Sequence, residues 1–277
     1  ASRGLGDVYK RQGFFMRIAV AGANGRMGRM LVEAVINHPE LNLAAALCLP
    51  GADEEGRDAV NFLGMKSGVT ISSDLSVLAH ADCLIDFTRP EGTLNHLKAC
   101  QSHGVKMVIG TTGFSAEQLA TLEAAASEIA ILFSPNMSIG VNALYLLLEK
   151  AAQLFNDDYD VEVFEAHHRN KVDAPSGTAL KMAEVVAQAK GRDLDEIADW
   201  ARHGVTGVRE KGRIGFSVFR GGDVIGDHTV SFAGPGERIE LTHKATNRTI
   251  YASGSIQAAL FLKDKDKGFY SMRDLMV

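Results

Sequence analysis

Between Glu165 and Ala179 the chain reads EAHHRNKVDAPSGTA. His167 and His168 are adjacent imidazoles, and Lys171 follows four residues after the first. An imidazole titrates near neutral pH and both gives and takes protons. A lysine beside an anionic substrate stays charged and either gives a proton or neutralises a carboxylate. Ser176, Gly177 and Thr178 read as a loop entering a helix, where unpaired backbone N–H groups hold an anion, so Gly177 and Thr178 can take a carboxylate. One histidine in a turn is more often a solvated surface residue. The ensemble points instead to acid–base chemistry on a small carboxylated substrate. The histidine pair lacks metal-ligand spacing, and His203, His228 and His243 do not supply it, so no metal is expected.

These groups need a rigid frame. Asp160 to Ala166 reads as a strand running into the motif, so His167 and His168 should point to opposite faces. A helix is expected over Thr178 to Lys190, stopped by Gly191, and a long apolar-faced helix over Val141 to Phe155. Ile214 to Phe219, Asp227 to Phe232 and Arg238 to His243 read as strands joined by glycine turns, and Ser255 to Leu262 as a final helix. This half is α+β, with a mostly antiparallel or mixed sheet.

The upstream half has another rhythm. Arg17 to Ala21, Leu41 to Leu49, Val69 to Ser72, Cys83 to Phe87, Val105 to Ile109 and Ile129 to Phe133 read as strands. Helices fall between them, among them Thr93 to His103 and one capped by Ser115 and Gln118. Strands alternating with helices imply a parallel sheet covered on both faces.

The first strand runs into GANGRMG, Gly22 to Gly28, and then a helix. That is the setting of a dinucleotide fingerprint, with Asn24 at the usual middle glycine. Glycine permits the tight turn and close approach to a pyrophosphate, and the helix start adds partial positive charge. The second strand ends at Cys48-Leu49, where an acid would bind the ribose of NAD. Asp53, Glu54 and Glu55 follow as substitutes, and Arg26 and Arg57 as partners for a 2′-phosphate. The bare strand tip leans slightly to NADPH and leaves NADH open. GTTGF, Gly110 to Phe114, and SPNMSIGVN, Ser134 to Asn142, also follow strand ends, where α/β sheets bind ligands.

Composition is that of a globular chain: 277 residues, 46% hydrophobic, net charge −5. The charge gives no general reason to bind nucleic acid or an anionic membrane. No apolar run reaches the roughly 18 residues of a membrane span. Three cysteines, Cys48, Cys83 and Cys100, argue against a disulfide framework and for a reducing, cytoplasmic setting. Residues 1–15 read as a non-native extension: composition changes at Met16, and Asp7 to Gln12 resembles a translated adapter.

GANGRMG, FTRPEGT (Phe87 to Thr93), GTTGF, SPNMSIGVN, the histidine segment and GDHTVSFAGPGERIELTHKA (Gly226 to Ala245) stand together in one order. In this the chain resembles the 4-hydroxy-tetrahydrodipicolinate reductase (dihydrodipicolinate reductase) family from Met16 onward. The resemblance implies a Rossmann-type nucleotide domain of residues 16–138 and 248–277, and an α+β substrate and tetramerisation domain of residues 139–247. It implies NAD(P)H-dependent hydride transfer to C4 of a cyclic dicarboxylate with loss of water, in lysine and diaminopimelate synthesis, by a homotetramer. It makes His167 the acid/base and Lys171 the proton donor, and His168, Gly177 and Thr178 the carboxylate ligands. Cofactor contacts are implied for Gly22, Ala23, Asn24, Gly25, Arg26 and Met27, for Gly110, Thr111 and Thr112, and for Ser134, Pro135, Asn136 and Met137. Where this chain has Cys48-Leu49 the family often carries an acid. An aspartate-semialdehyde dehydrogenase would need a nucleophilic cysteine between its domains, and all three cysteines lie in the nucleotide half. A nucleotide sensor of the same fold without catalysis is the remaining alternative.

Overall fold

Strand β1 (Met16–Val20) is buried at every position but Arg17. An apolar run without alternation belongs to a strand covered on both faces. The structure, a computed structural model, describes residues 15–277. The extension expected over residues 1–15 therefore lies, up to residue 14, outside the described residues.

After β1 come α1 (Arg26–Ile36), β2 (Leu41–Leu47), β3 (Ile71–Ser72), β4 (Cys83–Asp86), α2 (Pro90–His103), β5 (Lys106–Ile109), α3 (Ala116–Ala125) and β6 (Ala130–Phe133). Next are α4 (Ile139–Leu154), β7 (Asp160–His167), α5 (Gly177–Ala189), α6 (Leu194–Ile197) and β8 (Ala198–Asp199). The chain closes with β9 (Ile214–Arg220), β10 (Gly226–Gly234), β11 (Glu237–Ala245), α7 (Thr249–Leu262) and β12 (Gly268–Tyr270). By internal contacts it divides into two units. One runs to Pro135 and adds Ser255–Ser271, and the other is Asn136–Gly254 with Met272–Val277.

The first unit holds a seven-stranded parallel sheet in the order β12-β6-β5-β4-β1-β2-β3. Strand order reverses between β1 and β4, the point where open α/β sheets leave a ligand crevice. Leu84, Met107, Ile109 and Ile131 build its core with Leu97 of α2 and Leu122 of α3. Local signals set the helix ends. Pro90 opens α2 at its first turn, so this helix begins ahead of the expected Thr93. Gly104 closes it in the left-handed region at φ 66°. Both halves of the Ser115–Gln118 capping box are formed. Strand β12 was not foreseen: it is three residues long beside a run of charges, and only its pairing with β6 makes it a strand.

The second unit holds a five-stranded mixed sheet in the order β11-β10-β7-β9-β8. Strand β10 is antiparallel to β7 and β11, while β7, β9 and β8 run parallel. Its core joins Val163, Val230 and Phe232 of the sheet to Leu148 of α4 and to Met182 and Val186 of α5. Helix α6 and strand β8 were also not foreseen, each being too short to show a period. Helix α7 starts ahead of the expected Ser255 and takes in Thr249, Ile250 and Tyr251, β-branched and aromatic residues whose weak helix propensity hides the true start in the sequence. Packing explains its glycine: a Cβ on Gly254 would stand 1.6 Å from the Met137 carbonyl oxygen. No helix among the described residues is long and apolar enough to cross a membrane.

Phe232 is fully buried and packs against Phe155, with ring centroids 5.2 Å apart and the planes tilted by 33°. Phe232→Ala should cost about 3–5 kcal/mol of stability in urea unfolding. Ser115→Ala, which removes only a cap, should cost about 1 kcal/mol. Equal losses would contradict the placement of the core.

Candidate active site

Strand β7 changes chemistry along its buried row. Val161 and Val163 face the core, and two steps on the same face carry Glu165 and then His167. Neighbouring strands do likewise. On β10, Phe232 and Val230 pair with Val161 and Val163, and His228 pairs with Glu165. On β9, Arg220 pairs with His167. The sheet thus delivers Glu165, His167, His228 and Arg220 to one end of one face.

Glu165 is fully buried and each of its oxygens is bonded. Arg220 donates to both, at 2.7 Å each. The Ser176 amide donates at 2.9 Å. His167 Nδ1 lies 2.6 Å from Oε2. Burial pushes the Glu165 pKa up, but Arg220, His167 and the Ser176 amide outweigh it and hold the carboxyl below its usual range. An ionised carboxylate only accepts, so Nδ1 of His167 is the donor and Nε2 is left for proton exchange. Nε2 lies over Gly226, where a Cβ would come within 3.1 Å.

Ser176 links this cluster to the start of α5. Its hydroxyl caps the helix by accepting from the Ala179 amide at 3.2 Å, and it bonds His228 Nε2 at 3.0 Å. The His228 and His167 rings meet edge to face, with centroids 5.0 Å apart. Burial first, and the neighbouring His167 next, push the His228 pKa down to about 4, so this ring is neutral at physiological pH.

The first turn of α5 carries no acid, and a Cβ on Gly177 would meet open space, so the helix end can receive an anion. Thr178 Oγ1 accepts from Asn136 Nδ2 at 3.3 Å, which joins two expected site residues. The Asn136 side chain in turn accepts from the Ser138 amide at 2.9 Å. His168 is half-buried, and its Nδ1 is buried with no partner among the described residues. Lys171 pairs with Asp173 at 2.8 Å. Met137 is fully buried.

In the first unit, Gly22 takes φ 61° and accepts from the Gly25 amide at 2.9 Å, which closes the tight turn. A Cβ on Gly28 would stand 1.9 Å from the Gly22 carbonyl oxygen, so α1 meets the loop only with glycine there. Gly25 caps α1 without a side-chain bond, and the first turn holds no acid. Gly25 and Arg26 are exposed, Asn24 and Met27 half-buried and Ala23 buried. This uncapped end, reached by bare backbone, fits a pyrophosphate.

The remaining expected contacts divide by role. Thr111 is buried, and its hydroxyl accepts from the Thr88 amide and the Thr93 hydroxyl at 2.9 Å each. Gly110 is required by Phe87, whose ring would lie 2.2 Å from a Cβ. Thr112 and Pro135 are exposed, and Ser134 is buried.

The two halves of the chain match the models described as dihydrodipicolinate reductase, N-terminus, over residues 16–137 and dihydrodipicolinate reductase, C-terminus, over residues 140–276. The chain belongs to the dihydrodipicolinate reductase family. A relative from Herminiimonas arsenicoxydans named 4-hydroxy-tetrahydrodipicolinate reductase is 59% identical over 262 residues, covering 94% of this chain and 98% of the relative. One of the same name from Cupriavidus metallidurans is 58% identical over 94% of this chain and 99% of its own length. Among solved structures, a dipicolinate-bound dihydrodipicolinate reductase from Paenisporosarcina sp. TG-14 superposes with a TM-score of 0.74 at 28% identity, over 95% of this chain and all of that one. The parallel Rossmann sheet and the mixed second sheet are those of an oxidoreductase of this family.

Sequence reasoning passed over Glu165, Arg220 and His228. Glu165 had a signal, since it stands two residues before His167 on one strand and so shares its face. Arg220 and His228 come from strands whose register no local pattern displays.

His228 makes stability depend on pH. Its folded pKa of about 4 lies below the ordinary 6.5, so the unfolded chain binds the extra proton between these values. Stability should therefore be full above pH 6.5 and fall towards pH 4, by roughly 3 kcal/mol from this group. Urea titrations of the parent and His228→Gln across that window check this, and equal slopes would contradict it.

Proposed function

We propose that this protein reduces 4-hydroxy-tetrahydrodipicolinate to tetrahydrodipicolinate with NADPH or NADH, in lysine and diaminopimelate synthesis. The observation that carries this reading is the His167–Glu165–Arg220 cluster beside the anion-receptive start of α5.

The nicotinamide cofactor, when bound, supplies the hydride that reaches C4 of the substrate. The loop from Gly22 to Met27 would hold its pyrophosphate, with Gly110 to Thr112 and Ser134 to Met137 as further contacts. His167 and Lys171 handle the proton that leaves with the substrate hydroxyl as water. Glu165 fixes the His167 ring through Nδ1, so that Nε2 is presented in one orientation. Lys171 exchanges Asp173 for a substrate carboxylate and offers its ammonium proton. His168, whose buried Nδ1 is unpartnered among the described residues, binds carboxylate along with the Gly177 and Thr178 amides. The Thr178 hydroxyl is already held by Asn136. The protein acts in the cytoplasm as a homotetramer, assembled through the second sheet, whose outward face leaves Phe164 43% exposed.

The test is oxidation of NADPH or NADH with substrate generated in place by the preceding synthase from pyruvate and aspartate semialdehyde. Synthase-dependent oxidation is the expected result. His167→Ala should lose about a hundredfold or more in turnover and keep its cofactor affinity. Cofactor binding with no oxidation under any condition would favour a sensor and contradict the reading. Unchanged turnover in His167→Ala would remove His167 from the chemistry.

A further inference from the structure

The tip of β2 is bare of acid, but an acid reaches the glycine loop by another route. Glu54 accepts from Asn24 Nδ2 at 3.3 Å and pairs with Arg29 at 3.3 Å. Its neighbours do not share this place. Asp53 is exposed, and Glu55 is turned to the Gly51 amide at 2.9 Å and the Ser73 amide at 3.0 Å. Glu54 lines a cavity of about 350 Å³ together with Asn24, Arg29, Arg57 and Phe62. The Arg29 guanidinium lies over the Phe62 ring, 5.6 Å from its centroid. Arg57 is exposed, and its side chain has no partner among the described residues. Arg26, the other candidate for a 2′-phosphate, does not line this cavity.

The position of the cavity says what it would receive. The Ala23 amide bonds the Leu47 carbonyl at 2.8 Å, so the glycine loop and the end of β2 meet at its rim. In a dinucleotide fold the adenosine ribose lies there, beside the loop that takes the pyrophosphate.

We infer that Glu54 reads the adenosine ribose of the cofactor and is the residue that discriminates NADH from NADPH in this chain. This rests on the cofactor reading above. A ribose diol donates hydrogen bonds, and the Glu54 carboxylate accepts them. Its bonds to Asn24 and Arg29 sit at the long limit of hydrogen bonding, so both oxygens keep acceptor capacity. A 2′-phosphate brings negative charge to the same carboxylate. Arg29 and Arg57 oppose that repulsion, Arg29 only by leaving Glu54. The acid missing from the strand tip is thus supplied from the loop, and it favours NADH against the lean to NADPH that the bare tip gives. Cys48 does not take this role: burial, then Glu55 and Glu54, push its thiol pKa up and keep it neutral.

The test is equilibrium binding of NADH and of NADPH, by calorimetry without substrate, to the parent, Glu54→Gln and Arg57→Ala. Glu54→Gln should raise the Kd for NADH about tenfold and leave that for NADPH equal or lower. Arg57→Ala, at an exposed side chain, should weaken NADPH several-fold and leave NADH unchanged, and it decides the matter if Glu54→Gln does not fold. Binding of both cofactors by the parent, with the ratio of the two Kd values unmoved in both variants, overturns the role of this cavity and leaves the reductase reading standing. A parent that binds neither dinucleotide overturns both.

Discussion

One buried carboxylate organises the second unit. Glu165 sits on the core face of β7 with no exposure, where an unpaired charge would be prohibitively costly. It is made tolerable by a bidentate guanidinium, a backbone amide and an imidazole N–H, all within 2.9 Å. Such a group is a constraint as much as a stabilising contact. Removing one partner of a buried pair typically costs about 3–5 kcal/mol, because the other charge stays behind without compensation. Three segments, the β9 end, the β7 end and the turn before α5, are therefore locked to one point. The same bonds that satisfy Glu165 decide which nitrogen of His167 is free.

The proposed chemistry therefore sits at a strand end rather than on a loose turn. Sheet geometry sets the spacing of Glu165, His167 and Arg220, and α5 is tied to them through its own cap residue, Ser176. The groups proposed for proton exchange and anion binding then rest on one rigid frame. His228 contributes by staying neutral. A second cation edge-on to His167 would compete for the same carboxylate, and burial prevents it. The first unit solves a separate problem by simpler means. There, glycines bring backbone to an uncapped helix end, and Asp86 and the Thr88–Thr93–Thr111 hydroxyl network brace the neighbouring loops.

Much of this was legible because the signals are local. The βα rhythm, the glycine loop, the Ser115–Gln118 box and the alternating rows of β7 and β10 each lie within a few residues, so the parallel and mixed sheets followed from them. What was lost depended on partners far apart in sequence. Strand β12 exists only against β6, and Arg220 reaches Glu165 only through parallel pairing across fifty-five positions. The acid inferred for the cofactor loop was legible as a choice among Asp53, Glu54 and Glu55, and turn geometry separates them. Glu55 is consumed by the turn itself, which leaves Glu54 facing Asn24.

The chemistry proposed for this site depends on the state of one ring. Nitrogen NMR of isotope-labelled histidine, with His167 assigned by its disappearance in His167→Ala, reads the tautomer directly. The neutral ring should carry its proton on Nδ1, with Nε2 bare, and Glu165→Gln should disturb that preference. A neutral His167 protonated on Nε2, or one indifferent to Glu165, would contradict the claim that this carboxylate sets the chemistry.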